Sequence, residues 1–314
     1  MYLVTGGAGF IGSHIVERLL RDGARVRVLD NFSTGHRKHL EFGAESDRLQ
    51  VIEGDITNLT TVIEAASGVE VIFHQAAQRS VPRSVDDPLG ANENNVNGTL
   101  NVLLAAQKAR VRRVVYASSS SAYGDRPDLP KREDQTPAPI SPYAVSKLTG
   151  EYYCSVWSRL YGVETVSLRY FNVFGPRQDP ASQYAAVIPK FILSALQRTP
   201  LEVHGDGLQS RDFTYIDNVV EANLLGAKAD GVSGEVFNVG CGNRISLMEI
   251  IKLLEAQLGY SLTAAHTPPR TGDVRHTLAD ISKAKRLLGY IPAVEFADGL
   301  RQTVKFFTAK FPAR

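Results

Sequence analysis

Short apolar runs alternate with segments whose apolar residues recur every three to four positions, from the start of the chain to about position 172. Tyr2–Thr5 is a run of strand length, and Gly9–Arg21 carries Ile11, Ile15, Leu19 and Leu20 at helical spacing before stopping at Asp22-Gly23. Val26–Leu29 reads as a second strand ending at Asp30. Leu49–Glu53 reads as a third, followed by a short helix through Val62 and Ile63, and Val69–Phe73 as a fourth. Asn94–Lys108 predicts a helix, Arg113–Ser118 a fifth strand, and Val163–Leu168 a sixth. Between the last two, Pro142–Tyr161 predicts a helix with proline at its favoured first position. This alternation predicts an α/β fold built on a doubly wound parallel sheet.

After Asn172 the regularity weakens, and Pro176, Pro180, Pro189, Pro200, Pro268, Pro269 and Pro292 punctuate shorter elements. The pattern divides the chain into a sheet-based domain over 1–171 and a smaller α/β domain over 172–314. The second is expected to interleave partly with the first and to lend one or two strands back to its sheet. At 314 residues the chain is long enough for both.

With 43% apolar and 22% charged residues the composition is that of an ordinary globular protein, and a formal charge of +2 gives no reason to expect a nucleic-acid partner. No apolar stretch is long enough to span a membrane. Tyr2-Leu3-Val4 already reads as strand where a targeting peptide would lie, so a cytoplasmic protein is expected. Cys154 and Cys241 stand far apart, without metal-ligand spacing. Cys154 falls in a helical pattern as a buried thiol, this cysteine usage suits a reducing compartment, and no metal site is expected.

Gly6, Gly9 and Gly12 in Thr5-Gly6-Gly7-Ala8-Gly9-Phe10-Ile11-Gly12 form a G-x-x-G-x-x-G turn between the first strand and the first helix. Without Cβ the backbone turns tightly and approaches a pyrophosphate, while the helix N-terminus offers free N–H groups to the phosphates. A ligand-free turn carries the same glycines, so the strand before, the helix after and the acid ending the second strand give the pattern its weight. Together they point to a Rossmann dinucleotide site. A carboxylate at Asp30 accepts hydrogen bonds from the adenosine ribose and repels a 2′-phosphate, which favours NAD over NADP; Arg37 and Lys38 pull the other way. Asp55, in Gly54-Asp55-Ile56, fits equally a residue flanking the adenine and a carboxylate capping its own loop.

Tyr143-Ala144-Val145-Ser146-Lys147 sets a phenol and an ammonium one helical turn apart on one face. The ammonium is expected to favour the phenolate and to lower the tyrosine pKa from ~10. The result is a general base for use near neutral pH. Beside a dinucleotide, such a base serves the oxidation of an alcohol.

Thr5–Gly12, the Asp55 turn, Asn94-Asn95-Val96-Asn97-Gly98-Thr99, Ser118–Gly124, Tyr143–Lys147 and Arg169-Tyr170-Phe171-Asn172 together resemble the extended short-chain dehydrogenase/reductase superfamily. Within it the chain is similar to nucleotide-sugar 4-epimerases of the UDP-glucose and UDP-N-acetylglucosamine type, through Gly272-Asp273-Val274-Arg275-His276-Thr277. The resemblance implies Tyr143 as acid/base, Lys147 on the nicotinamide ribose, and Ser119 on the sugar hydroxyl that is oxidised. The run Ser118–Ser121 leaves Ser120 and Ser121 able to share that task. It implies NAD contacts at Gly6, Gly9, Phe10, Ile11, Gly12, Asp30, Asn31, Ser33, Gly35, Asp55, Ile56, Gln75, Ala76, Ala77, Asn94 and Phe171, besides Tyr143 and Lys147. Substrate contacts are implied at Arg79, Ser119, Ser121, Asn172, Ala186, Val187, Arg211, Arg270 and Thr277. Planar guanidiniums bind phosphate oxygens in pairs, so Arg211 and Arg270 suit a UDP diphosphate. From spacing alone a surface ion pair with Asp212 or Asp273 is the readier reading, and the resemblance reverses it.

The implied reaction is transient oxidation at C4: Tyr143 takes the O4 proton, hydride passes to the nicotinamide, and the 4-keto sugar presents its other face before hydride returns. Binding energy must then sit mainly on UDP. Related dehydratases and decarboxylases carry an acid before their tyrosine-glycine pair, whereas Ala122 precedes Tyr123-Gly124 here; Asp125 or Glu133 would have to substitute. Thr277 matches a gate position where a small residue admits an N-acetyl group. Ser80–Ser84, Gln178–Pro180 and Tyr184–Pro189 also resemble the N-acetyl-tolerant branch. Arg79 departs from that branch and suits a uronic acid, while Asp179 is expected to repel one. A UDP-glucuronate 4-epimerase and an NAD-dependent nucleotide-sugar reductase are therefore the rival activities. A homodimer is implied, with Leu103, Leu104, Tyr152 and Trp157 as candidates for either a two-fold helical interface or the sheet-facing core.

Overall fold

The computed structural model describes residues 1–180, 186–268 and 274–311. In chain order its strands are β1 (Tyr2–Thr5), β2 (Val26–Asp30), β3 (Leu49–Glu53), β4 (Val71–His74), β5 (Arg113–Ser119), β6 (Glu164–Tyr170), β7 (Val173–Phe174), β8 (Leu201–His204), β9 (Ser210–Arg211), β10 (Thr214–Tyr215), β11 (Glu235–Val239), β12 (Ile245–Ser246) and β13 (Ala264–Thr267). The helices that frame the site are α1 (Phe10–Arg21), α2 (Leu59–Ala66), α3 (Val81–Asp86), α4 (Pro88–Asn92), α5 (Gly98–Lys108) and α6 (Pro142–Leu160). Later come α7 (Val187–Leu196), α8 (Ile216–Lys228), α9 (Leu247–Leu258), α10 (Ser282–Leu288) and α11 (Phe296–Lys310).

Seven strands form one sheet in the order β11-β6-β5-β4-β1-β2-β3, each neighbour parallel to the next. Parallel neighbours need crossovers, and the helices supply them on both faces. Alternation along each strand sends side chains to two cores. Val4, Val28, Phe73, Val115 and Leu168 belong to the core shared with α1 and α8. Leu3, Leu29, Ile72, Val114 and Tyr116 belong to the core under α2, α5 and α6. All six predicted strands form. β11, from beyond position 172, pairs along β6 from Glu235↔Val166 to Val239↔Tyr170 and makes the seventh.

The predicted Asn94–Lys108 helix is compound: a π-helical turn over Glu93–Asn97 runs directly into α5. Leu103 and Trp157 are core residues, 0% and 6% exposed, whereas Tyr152 is 59% exposed. The interface-or-core alternative thus falls to the core for the first two. Among the described residues no helix is long and apolar enough to cross a membrane, and no group of three His, Cys, Asp or Glu side chains could hold a metal ion.

Candidate active site

The strand order reverses direction between β1 and β4, and the crevice beyond their carboxyl ends is where open α/β sheets bind ligands. Three buried hydroxyl and imidazole groups lock that point. His74 Nδ1 lies 2.7 Å from Thr5 Oγ1, and its Nε2 lies 3.0 Å from Thr99 Oγ1. Thr99 already donates to the Asn95 carbonyl, so Nε2–H donates to Thr99 and Nδ1 accepts from Thr5. Burial holds this imidazole neutral, with a pKa down to about 3.

Gly6 turns with φ +66°, and a Cβ there would stand 2.7 Å from Ala76 N; one on Gly12 would stand 2.2 Å from Gly6 O. Only glycine lets α1 come this close. No side chain caps α1 at Gly9, so its first N–H groups face a cavity of about 570 Å³. Around that cavity stand Gly6, Gly9, Phe10, Ile11, Gly12, Asp30, Asn31, Ser33, Gly35, Asp55, Ile56, Gln75, Ala76, Ala77, Asn94, Tyr143 and Lys147. Every expected cofactor residue except Phe171 is therefore brought together. Phe171 is wholly buried against Tyr123 and Ala279 and lines no part of the crevice. Successive residues face opposite ways along an extended chain. Tyr170 takes the cavity side, its hydroxyl bonded to Asn223 Oδ1 at 3.0 Å, and Phe171 faces away.

These residues fit NAD. Asp30 accepts from Ala8 N at 2.9 Å and Phe32 N at 2.8 Å, which fixes its carboxylate at the cavity wall. Arg37 is engaged by Glu53 and lies over the Phe32 ring at 4.2 Å, so it is not held out for a 2′-phosphate. Asp55 takes the loop-capping role and stands at the cavity wall as well. It caps its loop through Thr57 N and Thr57 Oγ1, both at 2.8 Å, and it lines the cavity while accepting from Asn31 Nδ2 at 2.6 Å.

A second cavity of about 1200 Å³ continues from the first. Ile11, Arg79, Ser118, Tyr143 and Tyr170 line both and mark the junction. Ser141 caps α6 by accepting from Ala144 N at 3.2 Å, Pro142 follows, and Tyr143 thus stands in the first turn, its N–H bonded to Ser84 Oγ at 3.0 Å. Ser119, the last residue of β5, lines the same cavity as the phenol and is the first of the groups that lower its pKa. Ser120 and Ser121 line the same cavity from the 3₁₀ turn beyond it, and Ser121 Oγ donates to Ser119 Oγ at 2.9 Å.

The expected tuning by Lys147 is not what the side chains give. Burial raises the Tyr143 pKa, and the influences that lower it are Ser119 and the Arg79 guanidinium. Lys147 Nζ is 6.0 Å from the Tyr143 ring centroid and donates to the Ala117 carbonyl at 2.8 Å. Burial draws its own pKa down to about 8. An i, i+4 spacing brings two side chains to one face without deciding which neighbour each terminal atom chooses.

Asn172, Ala186, Val187, Arg211 and Thr277 line the second cavity with Arg79, Ser119 and Ser121; Arg270 lies outside the described residues. Asn172 sits at φ +30° and donates to the Asp212 carbonyl at 3.0 Å and Thr277 Oγ1 at 3.2 Å. Arg211 does not take Asp212 as a partner through its carboxylate. That group is wholly buried and accepts instead from Cys241 N, Gly242 N and Ala279 N at 2.8, 3.0 and 3.1 Å. Asp179 lines neither cavity, though Pro180 beside it lines the second. Asp125 and Glu133 are absent from both as well. Tyr170, His74, Asn95 and Ser84 were not foreseen as site residues: each acts across elements, although Tyr170, Asn95 and Ser84 stand inside stretches that carry the resemblance.

A model of the NAD dependent epimerase/dehydratase family matches residues 2–240. The UDP-glucose 4-epimerase of Mycolicibacterium smegmatis is 41% identical over 311 residues, 98% of each chain. The structure of a UDP-N-acetylglucosamine 4-epimerase from Methanobrevibacter ruminantium, in complex with UDP-N-acetylmuramic acid, superposes with a TM-score of 0.95 at 38% identity, covering 99% of this chain and 98% of that one. A UDP-glucose 4-epimerase from Thermotoga maritima, with UDP-glucose, gives 0.93 at 38% identity, covering 98% and 99%. The glycine cradle, the fixed Asp30 and the Ser119–Tyr143 pair are thus those of a chain that belongs to the NAD dependent epimerase/dehydratase family.

Proposed function

We propose that this protein is a UDP-hexose 4-epimerase that interconverts UDP-glucose with UDP-galactose, and UDP-N-acetylglucosamine with UDP-N-acetylgalactosamine. The observation that carries the reading is the Ser119–Tyr143 hydroxyl pair at the junction of a dinucleotide-shaped cavity and a larger one lined by Asn172, Arg211 and Thr277. When bound, NAD supplies a hydride acceptor whose ring carries positive charge. Tyr143 takes the proton from O4 and later returns it, and Ser119 hydrogen-bonds the same oxygen. Arg211 attracts the diphosphate, with Arg270 as its expected partner, so UDP anchors the substrate while the hexose keeps room to present either face of C4. The side chain of Thr277, a threonine and not an aromatic, leaves space for an acetamide.

Division of the chain near residue 172 assigns NAD to the first part and UDP-sugar to the second. The cytoplasm suits the two free thiols, Cys154 and Cys241. We infer a homodimer through the outer face of α6. Arg79 favours a second reading, UDP-glucuronate 4-epimerization, since it is an exposed cation at the cavity junction.

The test is incubation of the purified protein, without added NAD, with UDP-glucose, UDP-N-acetylglucosamine and UDP-glucuronate in turn. The first two should equilibrate with their 4-epimers without accumulating NADH, and deuterium at C4 should stay in the product. Turnover of the glucuronate alone would establish the second reading, and accumulation of NADH would indicate a reductase.

A further inference from the structure

α6 carries Tyr143, Lys147 and Glu151 at i, i+4 and i+8, one above another on a single face. All three meet consecutive residues of β5: Tyr143 shares the cavity wall with Ser119, Ala117 accepts from Lys147, and Ser118 Oγ donates to Glu151 Oε1. The chemistry uses the first two side chains and leaves the third unexplained. Glu151 lines neither cavity and is 3% exposed. Arg169 on β6, equally buried, grips it with Nε to Oε1 at 2.9 Å and Nη2 to Oε2 at 2.7 Å, and lies 4.6 Å over the Tyr123 ring.

Stability alone gives little reason for such a pair. Desolvating two ions is costly, and apolar replacements of similar volume are often neutral or stabilising. Its position suggests electrostatic work on Lys147. Burial draws the Lys147 ammonium down to about 8, and Cys154 and Glu151 on the same helix oppose this. The Cys154 thiol is itself pushed up to about 12 by burial, so it carries no charge near neutrality. His74 on β4 is held neutral, and Tyr116 on β5 is held protonated by burial, its ring 5.1 Å from Nζ. Tyr143 is raised in the same way. Among these neighbours Glu151 is the one carboxylate, and it stands on the helix of Lys147, whereas the Arg169 cation that offsets part of its field comes from β6.

We infer that Glu151, held by Arg169, is a positioning residue that keeps Lys147 an ammonium in its buried place beside Tyr143. The inference rests on the epimerase reading for its purpose but not for its test. Glu151→Gln leaves Arg169 buried without a counter-charge and can fail to fold, so the informative variant is Glu151→Met with Arg169→Met. Competitive labelling of Lys147 with acetic anhydride across pH, read by mass spectrometry, reports the neutral amine whether or not any sugar turns over. In the double variant the labelling midpoint should fall by about one pH unit, about a fivefold rise in neutral amine at pH 7. Bound NAD per chain should stay close to wild type, and the alkaline limb of the kcat profile on UDP-glucose should move down with the midpoint. A midpoint identical to wild type would overturn the inference, as would equal loss of activity at every pH. A shifted midpoint in a protein that turns over none of the sugars would sustain it and defeat the epimerase reading.

Discussion

His14, His39 and His74 are buried with neutral rings. His14 Nδ1 donates to the Phe10 carbonyl at 2.9 Å and His39 Nδ1 to the Ala8 carbonyl at 3.0 Å, so each is a hydrogen-bond donor packed beside the glycine turn. Desolvation by burial lowers their pKa values to about 3, 4 and 3 respectively. The folded value lies below the unfolded one in all three, so their contribution is complete above about 6.5 and is lost as pH falls below it. Between pH 7 and pH 5 each unfolded histidine takes up a proton that the folded one refuses, at about 2 kcal/mol apiece. Asp212 works the other way: burial pushes its pKa up to about 6, and it returns about 1 kcal/mol over the same interval. The histidines outweigh it. The urea midpoint of unfolding should therefore be clearly lower at pH 5 than at pH 7, and an equal or higher midpoint at pH 5 would show that these rings are not held neutral.

α6 is set against β5 at a distance that one glycine decides. A Cβ on Gly150 would stand 2.2 Å from the Tyr116 hydroxyl oxygen and 2.4 Å from Cζ. Tyr116 is buried and donates to the Lys147 carbonyl at 3.2 Å, so its ring has nowhere to retreat. Helix propensity alone would make Gly150→Ala stabilising by ~1 kcal/mol. Overpacking costs about 1–3 kcal/mol, and here it also shifts α6 along the strand that holds Ser119. The variant should melt several degrees below wild type and lose activity by more than its folded fraction explains; a raised melting temperature would mean the helix is free to move. This contact also marks what a linear reading can reach. Periodicity reveals β1 to β6 and α1, because each repeats over its own length. The Glu93–Asn97 π-helical turn escapes it, since one wide turn barely perturbs a helical pattern. That a later strand returns to the sheet is expected, but that β11 is the one is not legible, because its partner, β6, lies more than sixty residues away. At the site, the residues of the glycine turn and of Tyr143–Lys147 were legible from local spacing. The Thr5–His74–Thr99 lock was not, because it joins three elements, and Phe171 was misplaced because its parity at the end of β6 depends on where that strand stops.

Most apolar residues among those described are buried, and the longest exposed series runs along α6. Val145, Tyr152, Val156 and Leu160 recur at steps of seven, four and four along α6 and are 49%, 59%, 40% and 72% exposed. Leu89 on α4, which packs against α6, is 82% exposed. A helical stripe of this kind on the outside of a folded chain marks an interaction surface. A second copy satisfies it most economically, because a two-fold axis lets the same stripe meet itself and close the assembly. The active-site face of the helix, with Tyr143, Lys147 and Glu151, points inward and would stay outside such a contact. Light scattering should then give a mass near twice the 34.3 kDa of one chain. Tyr152→Glu combined with Leu160→Glu would set like charges against their own symmetry mates, and at exposed positions it leaves the core of each subunit intact. That variant should run as a folded monomer that keeps its bound NAD. A wild-type monomer, or a double variant that remains dimeric, would assign the stripe to some other purpose.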